Sequence, residues 1–569
     1  MSYLKISMRY NELVRVYLNL EKTAKKLEKT GILAEFLKGV NKNEIKDIIH
    51  LLQGKVFPEY DERKIGMSSR LILKVISVSA GINQEKVEKL WKDIGDLGKT
   101  TEELIRKRQQ LTLAKDELTA KKIIDNITKL AGFQGEGTVD KKIKLVSELL
   151  NSAEPEEARF IVSTILEELR IGTAEGIIRD ALAKTFDINA DDIEKAYNIT
   201  TDYGEVAELL KENGIKALSK VSIKPGIPIK SMLSVLTNNV QEAFEALGKP
   251  AQFENKLDGF RIQCHKVNEK IFKVFTRNLE DVTKQFPDII NFIKKNVKAR
   301  NFILDAEAVA YDKKNKKHLP FQNISQRIKR KYDIHELAEK FPVQVNIFDL
   351  IYYNNTNLMD VPLKERRTIL ERIVNEKKDE IVLTNKIVTD DDKKAEKFFA
   401  ESLKKGDEGV MIKNLNSHYI PGRYVDGWAK LKNILEPLDL VITKAEYGNG
   451  KRSKWITSYT IACRNKEDLL EIGKVSTGVK EKAEGLTYDE MTKLLIPLIT
   501  GEKGKEIIVK PKIIIEVAYE EIQKSPTSSS GYSLRFPRVL RIRNKEKTLN
   551  EINTIKDVEK IYNSQRGKK

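Results

Sequence analysis

The sequence is poor in cysteine, which forms disulfides, and in histidine, which together with cysteine forms most zinc sites. It contains two cysteines and five histidines in 569 residues. Cys264 and Cys463 lie far apart, and neither they nor the scattered histidines show the spacing of metal ligands. These absences exclude a recognisable zinc motif and argue against structural disulfides, as is typical of proteins in a reducing cytoplasm.

Long apolar runs are also missing. No run reaches the roughly 18 consecutive apolar residues that a membrane-spanning helix needs. Residues 1–9 lack the apolar core of a signal peptide. We therefore expect a soluble, cytoplasmic protein that has no membrane partner.

Charged residues are abundant, and basic residues outnumber acidic ones. Lys and Arg number 102 against 84 Asp and Glu, which gives a net charge of +18. Such an excess favours a polyanionic partner such as nucleic acid, because basic side chains that contact phosphates release condensed counterions. The alternative is that the charge only keeps the protein soluble.

A chain of this length predicts several domains, and three segments differ in pattern. Residues 1–222 repeat apolar side chains at helical spacing, which predicts an all-α domain. Prolines and a glycine at residues 224–230 predict a linker. Over residues 223–435 short β-branched runs alternate with helical patterns, which predicts an α/β (α+β) domain. Strand patterns dominate residues 436–569 and predict a small β-barrel.

One turn within the helical segment is a candidate phosphate contact. Gly172 is predicted to end one helix and Thr173 to cap the next. Because a helix N-terminus presents unpaired N–H groups, this turn could hold a DNA phosphate together with Arg170 and Arg179. The alternative is an ordinary connection between two helices.

The central motif is residues 254–261, which contain Lys-x-Asp-Gly-x-Arg. Alternation after Phe260 predicts a strand, so the turn at Asp258 and Gly259 places the Lys256 amine at a strand edge. A lysine near other cations is a candidate nucleophile. The alternative is a hairpin turn with solvated charges, and the pattern alone arises by chance in about one such chain in a hundred.

Five further segments follow in order and add charged or aromatic side chains to predicted strands. They contribute Arg277, Glu307, Phe348, the pair Glu408 and Lys413, and the pair Lys430 and Lys432. Each alone could be a surface ion pair or a core side chain. Together they suit nucleotidyl transfer, in which a lysine attacks the α-phosphate of a nucleoside triphosphate while cations stabilise the negative charge. Glu408 and Asp258 are then candidate Mg²⁺ ligands.

These ordered segments resemble the motifs of covalent nucleotidyltransferases, and the closest resemblance is to ATP-dependent DNA ligases of the archaeal and eukaryotic replicative type. The resemblance covers nearly the whole chain. It implies an N-terminal DNA-binding domain over residues 1–222, an ATP-grasp-like adenylation domain over residues 223–435, and a C-terminal OB-fold over residues 436–569. Residues 447–452, 521–526 and 534–538 resemble signatures of that OB-fold, and the last of these is specific.

The resemblance also implies a role for each matched residue. ATP would adenylate Lys256, AMP would pass to the 5′-phosphate of a nick, and the 3′-hydroxyl would displace AMP. Glu254 would contact adenine, Phe348 would stack on it, and Glu408 would bind Mg²⁺ or Mn²⁺. The other implied nucleotide contacts are Arg261, Arg277, Glu307, Lys413, Lys430 and Lys432. The mobile segment that orients pyrophosphate would be Arg535, Arg538, Arg541 and Arg543, for which the alternative is a DNA-facing basic patch.

Two positions depart from the family pattern. An arginine usually stands four residues before the tryptophan of the Lys-x-Lys motif, but that position is Tyr424, and Arg423 beside it is the candidate substitute. After the arginine run the family usually reads Asp-Lys, whereas this chain has Asn544 followed by Lys545, and Glu546-Lys547 matches only after a shift of one residue.

The resulting prediction is a monomeric DNA ligase that encloses nicked duplex DNA and acts in replication, repair, recombination and cell division. A sliding clamp is a candidate partner. The alternatives are an RNA ligase or capping enzyme of the same superfamily, or a DNA clamp that has lost the chemistry. The long helical segment argues against a capping enzyme, and the nearly complete set of nucleotide contacts argues against a clamp.

Overall fold

A computed structural model of the chain describes residues 7–108, 117–319, 321–328, 330, 333–423, 427–433, 435–448, 452, 454–481, 485–503 and 506–565. It divides into two compact units. Unit 1 comprises Met1–Ser234, Gly259–Thr384 and Leu415–Gly427, and unit 2 comprises Val235–Asp258, Asn385–Asn414 and Trp428–Lys569. Each unit is described by itself.

The first part of unit 1 is helical, as the spacing of its apolar residues predicts. Its helices bury one shared apolar core that includes Tyr10, Leu13 and Tyr17 of the first helix. The helices are α1 Tyr10–Glu21, α2 Lys26–Gly39, α3 Ile45–Leu52, α4 Ser69–Ala80, α5 Gln84–Ile94, α6 Leu97–Arg106, α7 Ala120–Gly132, α8 Thr138–Ser152, α9 Pro155–Ile165, α10 Glu175–Phe186, α11 Ala190–Thr200 and α12 Tyr203–Asn213.

The predicted helix end at Gly172 is wrong. Helix α9 already ends at Ile165, and α10 begins at Glu175 with Ala174 as its N-cap. Glu167 and Arg170 adopt positive φ angles of 57° and 49°, which a continuing helix does not allow. Thr173 caps no helix, because its hydroxyl donates to the carbonyl of Leu52.

Unit 1 also contains a sheet around which the rest of its central part packs. Its strands follow the order β4-β3-β5-β7-β8, with β6 and β9 added beside β5 and β7. The strands are β3 Phe260–Lys266, β4 Phe272–Thr276, β5 Phe302–Asp312, β6 Lys317–Leu319, β7 Val343–Tyr353, β8 Thr356–Asn357 and β9 Ile381–Leu383. Helices α14 Pro287–Asn296, α15 Gln322–Ile328, α16 Ile334–Lys340 and α17 Leu363–Ile373 accompany it.

Unit 2 contains a second sheet, of order β1-β12-β11-β2-β10. Its strands are β1 Val235–Thr237, β2 Ala251–Lys256, β10 Lys386–Thr389, β11 Gly409–Asn414 and β12 Trp428–Lys432. One face is apolar, with Phe253, Val410, Ile412 and Leu431, and it packs on helices α13 Val240–Leu247 and α18 Asp392–Lys405. Because side chains alternate along a strand, the opposite face is left to polar residues.

The C-terminal part of unit 2 is rich in strands, as predicted. A seven-stranded antiparallel sheet encloses its own core, which includes Leu440, Tyr459 and Ile515. Its strands and helices are β13 Leu438–Tyr447, β14 Ile456–Asn465, β15 Asp468–Val475, α19 Tyr488–Leu495, β16 Ile499–Lys503, β17 Glu506–Val509, β18 Ile514–Ala518, β21 Arg538–Ile542 and α20 Ile555–Ser564, and β19 Glu521–Lys524 pairs with β20 Tyr532–Arg535.

The predicted fold class is thereby confirmed: a helical first part, a mixed central part and a strand-rich last part. The limits drawn at residues 222 and 435 stay a prediction. No helix among the described residues has both the length and the apolar character to cross a membrane.

Candidate active site

Lys256 ends strand β2 and is the first member of a charged row across three strands of unit 2. In the sheet register Lys256 lies opposite Gly409 of β11, which in turn lies opposite Lys432 of β12. A Cβ on Gly409 would stand 2.1 Å from the carbonyl oxygen of Leu431, so only glycine permits this close approach of the strands. The row therefore brings two lysines of distant sequence segments together.

Glu408 lies immediately before β11 and joins the two lysines. Its Oε2 is 2.6 Å from Lys256 Nζ and 3.3 Å from Lys432 Nζ. Burial raises the pKa of Glu408, but the two ammonium groups outweigh burial and lower the pKa to about 2. Glu408 is consequently an anion at neutral pH, held between two cations.

The stability of the protein should depend on pH through Glu408. Because its pKa is lower in the folded protein than its ordinary value of 4.5, the stabilising contribution is complete above about pH 4.5 and is lost as pH falls towards 2. We expect Glu408→Gln to lower the free energy of unfolding by about 2–3 kcal/mol near pH 7 and by progressively less below pH 4.5. Urea unfolding at a series of pH values measures this difference.

The matched control is Glu401→Gln, which changes an exposed glutamate on α18. It should leave the unfolding free energy within about 0.5 kcal/mol of the wild type at every pH. A difference for Glu408→Gln that stays constant from pH 3 to pH 7 would contradict the assigned electrostatics.

A second row on the same sheet face is buried. Glu254 and Lys413 form an ion pair of 2.7 Å with side chains only 2% and 1% exposed, and Gln252 donates to the other oxygen of Glu254 at 2.6 Å. The Lys413 ammonium also lies 4.5 Å from the centre of the Trp428 ring. These contacts hold Glu254 two residues before Lys256 in β2, and Lys413 four residues after Gly409 in β11. Their predicted contacts with adenine and phosphate stay predictions.

Asp258, two residues after Lys256, forms an ion pair with Arg535 in unit 2. Arg535 Nη1 is 3.3 Å from Asp258 Oδ1 and 3.4 Å from Glu521 Oε2. Burial lowers the pKa of Arg535, and the Asp258 carboxylate more than compensates and raises it. Glu408, Lys430, Lys432, Glu520 and Arg535 all line one cavity of about 560 Å³ in unit 2.

The carboxylates fit the ligands of Mg²⁺ in number and kind. Among the described residues no group of three or more His, Cys, Asp and Glu could hold a metal by itself. Mg²⁺ in nucleotide enzymes is usually bound by one or two carboxylates and by phosphate oxygens and water. Glu408, anionic and at the cavity wall, meets that requirement, and both Glu408 and Asp258 are paired with cationic side chains in this structure.

In unit 1, Arg261 of β3 is held by a buried carboxylate that the sequence did not single out. The guanidinium makes two hydrogen bonds to Asp305, of 2.9 and 2.6 Å, and a third of 2.6 Å to the carbonyl of Met232. The hydroxyl of Tyr419 donates to Asp305 at 2.7 Å. Asp305 stands two residues before Glu307 in β5 and therefore lies on the same sheet face. This spacing is the sequence feature that could have identified Asp305 as a site residue.

Phe348 lies in a bulge inside β7. Asp305 pairs with Asp349 and Ala306 with Ile347, so Phe348 is the extra residue. Its ring lies 5.3 Å from the Arg261 guanidinium and is half-buried. Glu307 is opposite Arg261 in the register and is also half-buried.

Arg366 of α17 stabilises the bulge by binding Asp349, the residue that follows Phe348. Arg366 forms two hydrogen bonds of 2.8 Å to Asp349, and both side chains are fully buried. It also donates to the carbonyls of Val361 and Ser417. Arg366 thereby ties the residue after Phe348 to the segment that carries Tyr419.

The Tyr419 hydroxyl should matter for nucleotide binding if Arg261 has its predicted role. Tyr419→Phe removes the hydrogen bonds to Asp305 and from Arg261 and Met232, with nothing else changed. We expect the KM for ATP in self-adenylation to rise roughly tenfold, because a looser Arg261 is less well positioned. Initial rates over a range of ATP concentrations measure the change.

Tyr459→Phe is the matched control, because this buried hydroxyl donates to the carbonyl of Ile456 in the strand-rich C-terminal part of unit 2. It should cost comparable stability and leave the KM unchanged. Equal KM values for wild type and Tyr419→Phe would refute the positioning role.

The remaining predicted residues lie elsewhere on each unit. Arg277 follows β4 and is exposed, and Arg423 pairs with Glu194 of α11 at 2.7 Å. Both line a cavity of about 330 Å³ in unit 1. Tyr424 lies outside the described residues. The predicted use of Arg423 as a substitute stays a prediction.

The C-terminal arginines are bound to acids of unit 2. Arg541 and Arg543 contact Glu516 at 2.6 and 3.4 Å, and both also contact Glu546. Lys547 is 2.5 Å from Asp439. Arg538 is exposed at the start of β21. Glu546 and Lys547 therefore serve in ion pairs within this module.

Comparison with known families agrees with this architecture along the chain. The family model described as "DNA ligase N terminus" matches residues 9–183, "ATP dependent DNA ligase domain" matches residues 231–432, and "ATP dependent DNA ligase C terminal region" matches residues 452–546. The solved structure described as "Pmar-Lig_PreS3" covers 93% of this chain and 99% of its own, with a TM-score of 0.56 and 16% identity, which supports the fold alone.

Curated relatives are similar over their full length. The DNA ligase of Nanoarchaeum equitans is 47% identical over 565 residues, 98% of this chain and 99% of the relative. Those of Thermococcus fumicolans and Methanocaldococcus jannaschii are each 39% identical, over 98% and 99% of this chain and 99% and 100% of the relative. The chain belongs to the ATP-dependent DNA ligases of archaeal type. It is an enzyme whose reaction is the ATP-dependent sealing of nicks in DNA.

Proposed function

We propose that Lys256 is the nucleophile that carries AMP. The observation that supports this most is the row of Lys256, Glu408 and Lys432, in which the amine and a second cation contact the same carboxylate, and Glu408 and Lys432 line the cavity. A triphosphate that entered the cavity would meet Lys430, Lys432 and Arg535 along its lining, and these cations would stabilise the negative charge that builds up at the α-phosphate.

The chemistry proceeds in three displacements at phosphorus. The deprotonated amine of Lys256 attacks the α-phosphorus of ATP, an N–P bond forms, and the P–O bond to pyrophosphate breaks. An oxygen of the 5′-phosphate then attacks the AMP phosphorus and releases Lys256. In the last step the 3′-hydroxyl attacks the activated 5′-phosphate, loses its proton, and expels AMP.

The ion pair with Glu408 must open before the first step. A carboxylate whose pKa is about 2 is too weak a base to take the proton from the Lys256 ammonium group. We therefore assign Glu408 the role of positioning the Lys256 side chain. Binding of Mg²⁺ to Glu408 would free the Lys256 amine from its partner and would shield phosphate charge. Asp258 is the second proposed metal ligand, once Arg535 has moved from it.

The residues of unit 1 receive their roles by matching position in the family. Arg261, Arg277 and Glu307 would hold the ribose and neighbouring groups, and Phe348 would stack on adenine. Arg423 would substitute for the arginine that the family usually has at the position of Tyr424. In unit 2, Glu254 would contact adenine and Lys413 phosphate, and Arg535, Arg538, Arg541 and Arg543 would orient pyrophosphate.

Further features of the proposal concern the whole protein. We propose that a monomer encloses nicked duplex DNA in replication, repair and recombination, and that a sliding clamp is a partner. Enclosure would let three basic domains, divided near residues 222 and 435, share the binding energy. The predicted cytoplasmic location stays a prediction.

A nick-sealing assay across nucleotides and strands tests this function. With ATP and Mg²⁺, nicked DNA should be sealed and nicked RNA should not, and ADP, GTP and NAD⁺ in place of ATP establish the nucleotide choice. Sealing of RNA but not DNA would favour the RNA-ligase alternative. Absence of both pyrophosphate release and retained AMP would favour a non-catalytic clamp.

A further inference from the structure

A hairpin at the far end of β5 carries an unusual concentration of positive charge. Strand β5 pairs with β6 from Ala310–Leu319 to Asp312–Lys317, and four lysines stand on and beside the turn between them. We call this the lysine hairpin and define it as Lys313, Lys314, Lys316 and Lys317. All four side chains are exposed. The mechanism above gives them no role.

Their charge is opposed within the hairpin by a single acid, Asp312, which interacts electrostatically with Lys314. None of the four forms an ion pair or a side-chain hydrogen bond with a described residue, whereas many other lysines of the chain, such as Lys107 and Lys377, do. The one acid of the hairpin is Asp312. Its Oδ1 accepts from the backbone of Lys314 and Asn315, and its Oδ2 accepts from the Asn315 side chain at 2.7 Å.

These hydrogen bonds, led by that from the Asn315 side chain, lower the pKa of Asp312, so the carboxylate is used to shape the turn. The base of the hairpin is also anchored. His318 contacts Gln344 at 2.8 Å, and the Tyr311 hydroxyl donates to Asp379 at 3.1 Å. The hairpin thus carries four exposed cations on a short turn whose base is held by hydrogen bonds.

We propose that the lysine hairpin contacts the phosphate backbone of duplex DNA that flanks the nick. The inference rests on the proposed function, because it takes nicked DNA as the partner. A row of four exposed ammonium groups with one acid among them keeps a net positive charge that is complementary to a regular row of phosphates, and each contact gains free energy by releasing counterions. Lysines act here as point charges, so the contact is independent of base sequence.

The test is the salt dependence of binding by a quadruple variant, K313Q/K314Q/K316Q/K317Q, in the full chain. Dissociation constants for a nicked duplex are measured by fluorescence anisotropy between about 50 and 300 mM salt, without ATP. Each lost contact should reduce the slope of log affinity against log salt by about 0.9, so the variant should lose roughly 2–4 from the slope. Its affinity at low salt should fall by roughly tenfold or more.

Two controls isolate the position and the charge. The quadruple Lys→Arg variant keeps the charge and should keep the slope. The matched variant K393Q/K394Q/K397Q/K405Q removes four exposed charges from helix α18 of unit 2 and should leave the slope nearly unchanged. Self-adenylation without DNA should proceed at the wild-type rate in all three, which also reports that they are folded.

The outcomes separate the two proposals. An unchanged slope for the hairpin variant overturns the inference, and this is the result expected if the hairpin instead binds an acidic protein. An equal fall in the α18 control also overturns it, because net charge alone would then explain the effect. If the wild type itself neither binds nor seals nicked DNA, the proposed function fails, and the hairpin proposal fails with it.

Discussion

Replacing Lys256 with alanine is expected to abolish the covalent AMP adduct and to leave the protein folded. Lys256 stands at the end of β2, and its removal costs one ion pair while Lys432 continues to neutralise Glu408. Without the amine there is no nucleophile for the α-phosphorus, so label from α-³²P-ATP on the protein should fall below about a thousandth of the wild-type level. Denaturing gel electrophoresis after incubation with labelled ATP and Mg²⁺ measures it.

The same variant should retain the last step of the reaction. Sealing of a nick that already carries AMP on its 5′-phosphate does not need the lysine as nucleophile, so this activity should survive at a measurable rate. A matched control is Lys404→Ala, which changes an exposed lysine at the cavity that Glu408 and Lys432 line and should keep the adduct. A labelled adduct of wild-type amount on Lys256→Ala would refute the assignment.

Removing the carboxylate of Asp349 is expected to give the largest loss of stability. Asp349 and Arg366 are both fully buried, and the guanidinium is neutralised by this carboxylate. Asp349→Ala would leave a buried charge with only carbonyl acceptors, so the free energy of unfolding should fall by about 3–5 kcal/mol. Urea-induced unfolding, followed on the full chain, measures the loss.

A double replacement shows whether the uncompensated charge is the cause. Asp349→Leu combined with Arg366→Met removes both charges and should recover most of the loss, because an apolar pair of similar volume is tolerated there. Glu35→Ala, at an exposed ion pair with Lys38, should change stability by about 0.5 kcal/mol or less. A loss below about 1 kcal/mol for Asp349→Ala would contradict the account.

Sequence patterns predicted the elements that have strong periodicity. Residues 45–52 belong to the segment predicted to be helical and residues 343–353 to the segment predicted to be mixed, and the structure has α3 and β7 at those positions. The turn at Gly172 was misjudged because glycine and threonine mark helix ends only statistically. The chain there is governed by packing, since Lys29 donates to the Ile171 carbonyl and Thr173 to that of Leu52.

Candidate site residues could be predicted where a charged side chain interrupts a strand pattern, as at Lys256, Glu408 and Lys432. Their meeting in one row depends on the order β12-β11-β2, which sequence spacing does not specify. Asp305, Tyr419 and Arg366 were not predicted, because a buried acid or phenol in an apolar run resembles a core residue until its partner is known. The bulge at Phe348 could not be predicted either, because a shift in the pairing of β5 with β7 leaves no recognisable pattern in the sequence.

The central claim is that Lys256 Nζ becomes bonded to the phosphorus of AMP. The most direct measurement is peptide mapping by mass spectrometry of the wild-type chain after incubation with ATP and Mg²⁺. The account predicts that the mass of one AMP group is found on the peptide that contains Lys256, with fragmentation that places it on that side chain. An AMP group mapped to any other residue, with Lys256 unmodified, would contradict it.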